Sequence, residues 1–309
     1  MISAILSKLI SESLLSLHPI VIKYVKLDLL TKLWDRTSIF VLISLFFINW
    51  DFILNHLFSY NVLLLTIIII AHLYFTHRGF LLLESGVGYT LYYTYPIMII
   101  LLSGIKLDYK IIFLMILAIT GIVLIYEKFN IIPENIRIIN ENKKEIENEK
   151  ENKTNINENI IENYKNEGII SIILCAFTEA LLYFVVKRIK TDNNWNHLFL
   201  SYFFSTVILT FYILYQYIKG HITVDNKYIE NFEKISLFNI IIATLGHYLK
   251  YYAIYNLSPL FYSILSYFGI ITAFIYGIII NNDKINLRKT LGALFIVLAN
   301  IMMLIFYKT

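Results

Sequence analysis

Long uninterrupted apolar runs are the feature that most constrains this chain. Residues 62–70 read VLLLTIIII, and similar stretches recur along most of the sequence. A helix that crosses a lipid bilayer needs about 20 mostly apolar residues, because the hydrocarbon core is about 30 Å thick. Lipid cannot hydrogen-bond open backbone groups, and the runs lack the two-residue alternation of a barrel strand. The sequence therefore predicts an all-α, multi-pass membrane protein.

Ten stretches meet this length requirement. We expect ten transmembrane helices at residues 4–25, 37–56, 61–82, 86–105, 109–127, 168–189, 197–218, 235–254, 258–280 and 288–307. A segment rich in Asn, Glu and Lys separates the fifth helix from the sixth, and it has too few apolar residues to fold by itself. We therefore divide the chain into a five-helix repeat at 1–129, a polar, charged and disordered linker at 130–167, and a second five-helix repeat at 168–309.

The two halves of the chain resemble each other at corresponding places. The matches, in chain order, are 11–15 (SESLL) with 178–182 (TEALL), 71–72 (AH) with 246–247 (GH), and 120–121 (TG) with 291–292 (LG). Each match falls in corresponding predicted helices. An odd number of helices per half makes the halves insert in opposite orientations. This is the five-plus-five inverted repeat used by many alternating-access transporters.

Two glutamates are the first candidates for a functional site. Glu12 and Glu179 lie near the middle of their predicted helices and at matching positions of the repeat. A charged side chain at the bilayer centre costs about 2.5–3.5 kcal/mol on insertion scales, so such residues usually have a function. Two carboxylates facing one cavity can bind a cationic group or carry a proton. The alternative is that each carboxylate pairs with a neighbour and holds helices together.

Three basic or imidazole side chains are further candidates. His72 and His247 match in the repeat, and Lys250 follows His247 by three residues on the same helical face. Imidazole can bind a substrate or relay a proton, and an ammonium group attracts a carboxylate or phosphate. Helix packing is the alternative for the histidines, and snorkelling to the interface is the alternative for Lys250. We place Lys8 among the basic residues of the short segments at the N-terminal face of the membrane.

Other sequence features narrow the class of protein. There is one cysteine, and no P-loop, nucleophile elbow, H-E-x-x-H helix or dinucleotide fingerprint is present. We expect no enzyme activity, no cofactor and no metal site. The basic residues are spread over short loops and form no stripe, so we expect no nucleic-acid partner. Pro19 predicts a kink in the first helix, and Pro96 and Pro259 predict a kink or the start of the fourth and ninth helices. We expect some tyrosines around Tyr92–Tyr95 to line a cavity, while interface belts and packing account for most of the tyrosines.

Several segments resemble the drug/metabolite transporter superfamily in its EamA-like form. The segments are 91–96 (LYYTYP), 118–122 (AITGI), 251–254 (YYAI), 257–259 (LSP) and 289–294 (KTLGAL). The resemblance covers nearly all of the chain outside 130–167. It implies ten helices in two EamA-like repeats. It also implies transport of an amino acid, a nucleotide sugar, a phosphorylated sugar or a similar polar metabolite.

We therefore expect a secondary transporter in a lipid bilayer that binds a small polar substrate between its halves and works by alternating access. Proton coupling and assembly as a homodimer both remain open. Two other functions also remain. One is a scaffold that has the fold but transports nothing. The other is a membrane-embedded transferase, which would need Asp, His or Arg clustered at one membrane face, and the sequence shows no such cluster.

Overall fold

The computed structural model describes residues 1–83, 85–125, 153–222, 224–281 and 287–306, and throughout these ranges the regular structure is helical. The helices are α1 Ile2–Leu15, α2 His18–Tyr24, α3 Leu29–Ser44, α4 Trp50–His56, α5 Tyr60–Leu82, α6 Ser85–Tyr92, α7 Tyr95–Leu102, α8 Tyr109–Ile125, α9 Lys153–Arg188, α10 Asn194–Ile218, α11 Asn226–Phe238, α12 Thr244–Asn256, α13 Pro259–Ser266, α14 Phe268–Asn281 and α15 Leu287–Phe306. A π-helical turn, Asn239–Ala243, joins α11 to α12. The predicted all-α class is confirmed.

Several helices in the described ranges have the length and composition of membrane spans. The longer ones are Tyr60–Leu82, Asn166–Arg188, Asn194–Ile218 and Pro259–Ile280, and the shorter apolar ones are Tyr109–Leu124 and Thr290–Met303. These helices identify an integral membrane protein. The total of ten spans stays a prediction.

Prolines interrupt two of the predicted spans and open a third. The first predicted span is interrupted between α1 and α2, just before His18, and the fourth between α6 and α7, just before Tyr95. Each second helix has a proline in its first turn. Pro259 likewise opens α13, where the Ser258 side chain caps the first turn. Proline is tolerated at these positions because the first amides of a helix have no partner within it.

The second predicted span, 37–56, is wrong at its start, because α3 begins at Leu29. The Asp28 side chain accepts a hydrogen bond from the Thr31 amide at 2.9 Å and so caps the helix there. The polar stretch that was predicted as a loop is therefore helical. Asp35 and Arg36 lie two turns inside α3 and are buried.

The sixth predicted span, 168–189, also begins earlier, because α9 starts at Lys153. Residues 153–167 of the predicted linker are therefore helical. Near the end of this extension, Glu167 accepts a hydrogen bond from Arg78 of α5 at 2.7 Å. The rest of the linker, 130–152, lies outside the described residues.

The helices pack in a small set of pairs. α5 packs against α9, α1 against α12, α3 against α10, α7 against α13, and α8 against α15. Small residues allow close approach at several of these contacts. At the contact of α8 with α15, a methyl group added to Gly121 would lie 2.7 Å from the carbonyl oxygen of Gly292. Further packing of α9 on α12 and of α3 on α5 encloses the centre of the molecule.

The π-helical turn anchors α3. Asn239 donates a hydrogen bond to the Asp35 carboxylate at 2.7 Å, and Ser236 donates one to its other oxygen. Successive helical residues point about 100° apart, so this anchor directs the next side chain, Arg36, to a different face of α3. π-Helical turns are often found at functional sites.

Candidate functional site

A cavity of about 60 Å³ lies at the centre of the helices. It is lined by all five residues predicted as site residues, Glu12, His72, Glu179, His247 and Lys250. Its wall also contains Arg36, His18, Thr76, Leu15, Phe80 and four tyrosines, Tyr89, Tyr92, Tyr93 and Tyr95. A cavity that holds benzene has a volume of roughly 150 Å³. The space is therefore smaller than a metabolite needs.

Glu12 is held by groups from three parts of the chain. Its Oε1 lies 2.5 Å from the Lys8 ammonium, one turn earlier on α1, and accepts a hydrogen bond from Tyr95 at 3.2 Å. Its Oε2 accepts one from Tyr93 at 3.0 Å, in the break between α6 and α7. The Lys8 ammonium also lies 3.5 Å from the ring centroid of Tyr262. Both carboxylate oxygens are therefore occupied.

Lys8 is thus a central residue, and its assignment to the membrane face is wrong. Its side chain is fully buried, and it follows the helical i, i+4 spacing with Glu12. This spacing could have predicted the central position of Lys8. A lysine one helical turn from a buried glutamate can form an ion pair with it on the same helix.

Glu179 forms the second buried ion pair. The Lys250 ammonium of α12 lies 2.6 Å from one carboxylate oxygen and 2.8 Å from the other. Nε2 of His72 on α5 lies 3.4 Å from the same carboxylate. The pairing gives Lys250 a buried partner, so snorkelling to the interface is excluded for it. Together, the Glu179 carboxylate, Lys250 and His72 connect three helices, α9, α12 and α5.

His72 connects α5 to α9 on its other side as well. Its Nδ1 lies 3.2 Å from the Thr178 hydroxyl and 3.3 Å from the Cys175 carbonyl oxygen. The Cys175 thiol is buried beside it, 2.9 Å from the hydroxyl of Thr76. Across the described residues, no group of three His, Cys, Asp or Glu side chains is arranged to hold a metal ion.

Arg36 bridges two histidines, and sequence reasoning missed it. Its Nη1 donates a hydrogen bond to His18 Nε2 at 2.7 Å, and its Nη2 donates one to His247 Nε2 at 2.8 Å. His247 Nδ1 lies 2.9 Å from the Ala243 carbonyl oxygen, which can only accept, so Nδ1 carries the ring hydrogen. His247 is therefore neutral and accepts from Arg36. The sequence signal for Arg36 is the capping pair Asp28 and Thr31. It places the start of α3 at Leu29, before the predicted start at residue 37, so that Arg36 lies within the helix.

Comparison with known proteins gives a match to a family model and matches to solved structures. Residues 166–305 match the model of the EamA-like transporter family. No curated protein matches the sequence. A crystal structure of another protein superimposes with a TM-score of 0.67 over 99% of this chain and 99% of that chain, at 11% identity. At this identity the structural likeness concerns the fold alone.

Proposed function

We propose, from the match of residues 166–305 to the EamA-like transporter family, that this membrane protein is a secondary transporter of a small polar metabolite. The match confirms the resemblance to the drug/metabolite transporter superfamily. The substrate classes that the resemblance implies are amino acids, nucleotide sugars and phosphorylated sugars. Substrate binds in the central cavity, and the protein opens the cavity to each side of the membrane in turn.

The observation that carries this proposal is the set of charged side chains around the cavity. Lys8, Glu12, Arg36, Glu179 and Lys250 are all buried. Each charge is expensive at membrane depth, and well-packed apolar residues often stabilise a core as well as a buried ion pair does. A scaffold has no use for such a cavity. A transporter needs it, because a polar substrate must exchange its hydration for protein groups.

The packing of the helices supports an inverted repeat. If 1–129 and 168–309 are equivalent halves, then α5 against α9 is the same contact as α12 against α1. The pairs α3 with α10, α7 with α13, and α8 with α15 each join an element to its own equivalent. Matching residues also meet, since Gly121 lies against Gly292 and both matched glutamates line one cavity. We therefore propose ten spans in two inverted five-helix repeats.

A counterflow assay tests the function. Purified protein in liposomes loaded with unlabelled compound is tested for uptake of labelled amino acids, nucleotide sugars and phosphorylated sugars. We expect one class to accumulate and Glu179→Gln to lower its initial rate at least 10-fold. Glu167→Gln is the matched control, because Glu167 lies on the same helix but pairs with Arg78 outside the cavity.

An imposed pH gradient tests proton coupling, and light scattering of the purified protein tests the homodimer.

Two results would contradict the proposal. Folded protein that accumulates none of the three classes would remove the support for transport of these metabolites. An equal loss of rate in both glutamate variants would show that the cavity is not specifically involved.

A further inference from the structure

Arg36 carries a positive charge in the cavity that no carboxylate neutralises. The two glutamates of the cavity are already paired, Glu12 with Lys8 and Glu179 with Lys250. The carboxylate of Asp35 is turned to Ser236 and Asn239. Within the ranges that the structure describes, no acidic side chain forms an ion pair with Arg36. Once the two ion pairs are counted as neutral, with Lys8 lying outside the cavity lining, Arg36 is the positive charge left over.

The hydrogen bonding of the Arg36 guanidinium is also incomplete. A guanidinium has five N–H donors and stays charged in proteins. Its two terminal nitrogens each donate to an imidazole, and its Nε, although buried, has no hydrogen-bond partner. Only 5% of the residue is exposed. Imidazoles that accept a hydrogen bond do not supply the counter-charge that a buried cation needs.

We infer that the transported substrate is a small metabolite with a single carboxylate and a net charge of −1, and that Arg36 binds this carboxylate. The inference rests on the proposed function and names the substrate class for the same cavity. The planar guanidinium matches the two oxygens of a carboxylate and can bind both at once. Nε offers an unused donor, and a terminal nitrogen becomes available when either imidazole moves away.

The charge balance selects the monoanion. A single negative charge neutralises the excess at Arg36 while both glutamates keep their lysines. A phosphate monoester carries about −1.5 to −2 at neutral pH, and a sugar nucleotide carries at least as much. Either would leave negative charge beside the carboxylates of Glu12 and Glu179. An ordinary amino acid is a zwitterion with no net charge at neutral pH and leaves the excess in place. Among small polar metabolites, the acids with one carboxylate and no amine therefore fit this cavity best.

The test is counterflow with a panel of matched compounds. The panel contains small monocarboxylates, their uncharged amides, dicarboxylates, phosphate monoesters and amines. We expect monocarboxylates to accumulate and the matching amides to fail. Arg36→Gln should raise the KM for the monocarboxylate about 10-fold or more, as expected when a charge-assisted hydrogen bond is removed. Arg36→Lys keeps the charge but not the two-donor geometry and should fall between. Arg188→Gln, at an exposed arginine of α9, is the matched control.

A second measurement covers the case in which Arg36→Gln does not fold. The monocarboxylate should raise the melting temperature of the unaltered protein, and its amide should not. Transport of amides, amines or phosphate esters in preference to monocarboxylates would overturn the inference and leave the transporter function standing. So would an unchanged KM in folded Arg36→Gln. Failure of folded protein to transport any compound would instead overturn the proposed function, and this inference with it.

Discussion

Replacing Glu179 by glutamine tests how far the buried charges depend on each other. Glutamine has the size of glutamate, but it leaves the Lys250 ammonium without its counter-charge at a site where that side chain is 9% exposed. Removing one partner of a buried ion pair typically costs about 3–5 kcal/mol, because the remaining charge stays buried. We therefore expect Glu179→Gln to lower the free energy of unfolding by about 3 kcal/mol or more.

The double variant Glu179→Gln/Lys250→Met separates ion pairing from the packing of the two side chains. With both charges gone, no ion is left without a partner, and we expect the free energy of unfolding to fall by about 1 kcal/mol in total. Lys250→Met alone leaves the Glu179 carboxylate buried without its lysine, so it should also cost about 3 kcal/mol or more. The double-variant change minus the two single changes then gives a coupling energy of about 5 kcal/mol in magnitude. Equilibrium unfolding in mixed detergent micelles, applied to the four proteins of the cycle, measures it.

The surface of the same protein supplies the control cycle. Glu230 and Lys234 form an ion pair at 2.6 Å on α11, with side chains 64% and 60% exposed. Exposed pairs of this kind contribute little, so their cycle should show no measurable coupling. A coupling below about 0.5 kcal/mol for the buried pair would refute the reasoning, because it would mean that water already solvates Lys250 in the cavity.

Three further predictions concern other parts of the cavity and its surroundings. Cys175 is the single cysteine of the chain and is fully buried, so a membrane-permeant maleimide should label it slowly. Labelling should be faster during turnover, and mass spectrometry measures both rates. A methyl group added at Gly269 would overlap the Tyr93 hydroxyl and the Glu12 carboxylate, so Gly269→Ala should destabilise the protein by about 1–3 kcal/mol and slow counterflow, and an unaltered rate would contradict this. Lys187 donates to a backbone carbonyl oxygen at the end of α12 at 2.7 Å, outside the cavity, so Lys187→Met should cost about 1 kcal/mol in thermal unfolding assays without changing the KM.

The ionisable residues of the cavity could be predicted from the sequence. An ionisable side chain in the middle of a membrane helix is costly unless it faces the protein interior, so such residues are expected at a central site. The apolar runs predicted the helical class, because they are long enough to cross the bilayer as helices. The match between the two halves identified both glutamates and both histidines. All of them, with Lys250, line the cavity. Which lysine pairs with which glutamate was not predictable. Lys8 binds along its own helix, whereas Lys250 binds across two helices, and the distance between helices cannot be read from a sequence.

Arg36 shows the opposite error. The ten predicted spans leave out residues 27–36, because this stretch is polar. In the structure Asp35 is bonded to Ser236 and Asn239, and Arg36 is bonded to His18 and His247. His18 comes from the neighbouring α2, whereas the other three partners come from α11, the π-helical turn and α12, more than 200 residues along the chain. A hydropathy count treats each residue alone and therefore misses charges that are solvated by other helices.

The positions of the ion pairs also bear on the proposed motion. With the halves divided at 130–167, each ion pair lies within one half, Lys8 with Glu12 and Glu179 with Lys250. The hydrogen bond of Arg36 with His247 and the approach of His72 to Glu179 cross between the halves. So do the hydrogen bonds that Ser236 and Asn239 donate to the Asp35 carboxylate. Such interactions contribute about 0.5–3 kcal/mol, less than the cost of about 3–5 kcal/mol for breaking a buried ion pair. The proposed rocking motion would therefore break the weaker interactions and keep the stronger ones. In the same proposal, a carboxylate bound at Arg36 would take the place of His247 as hydrogen-bond acceptor, so substrate binding would lower the cost of opening.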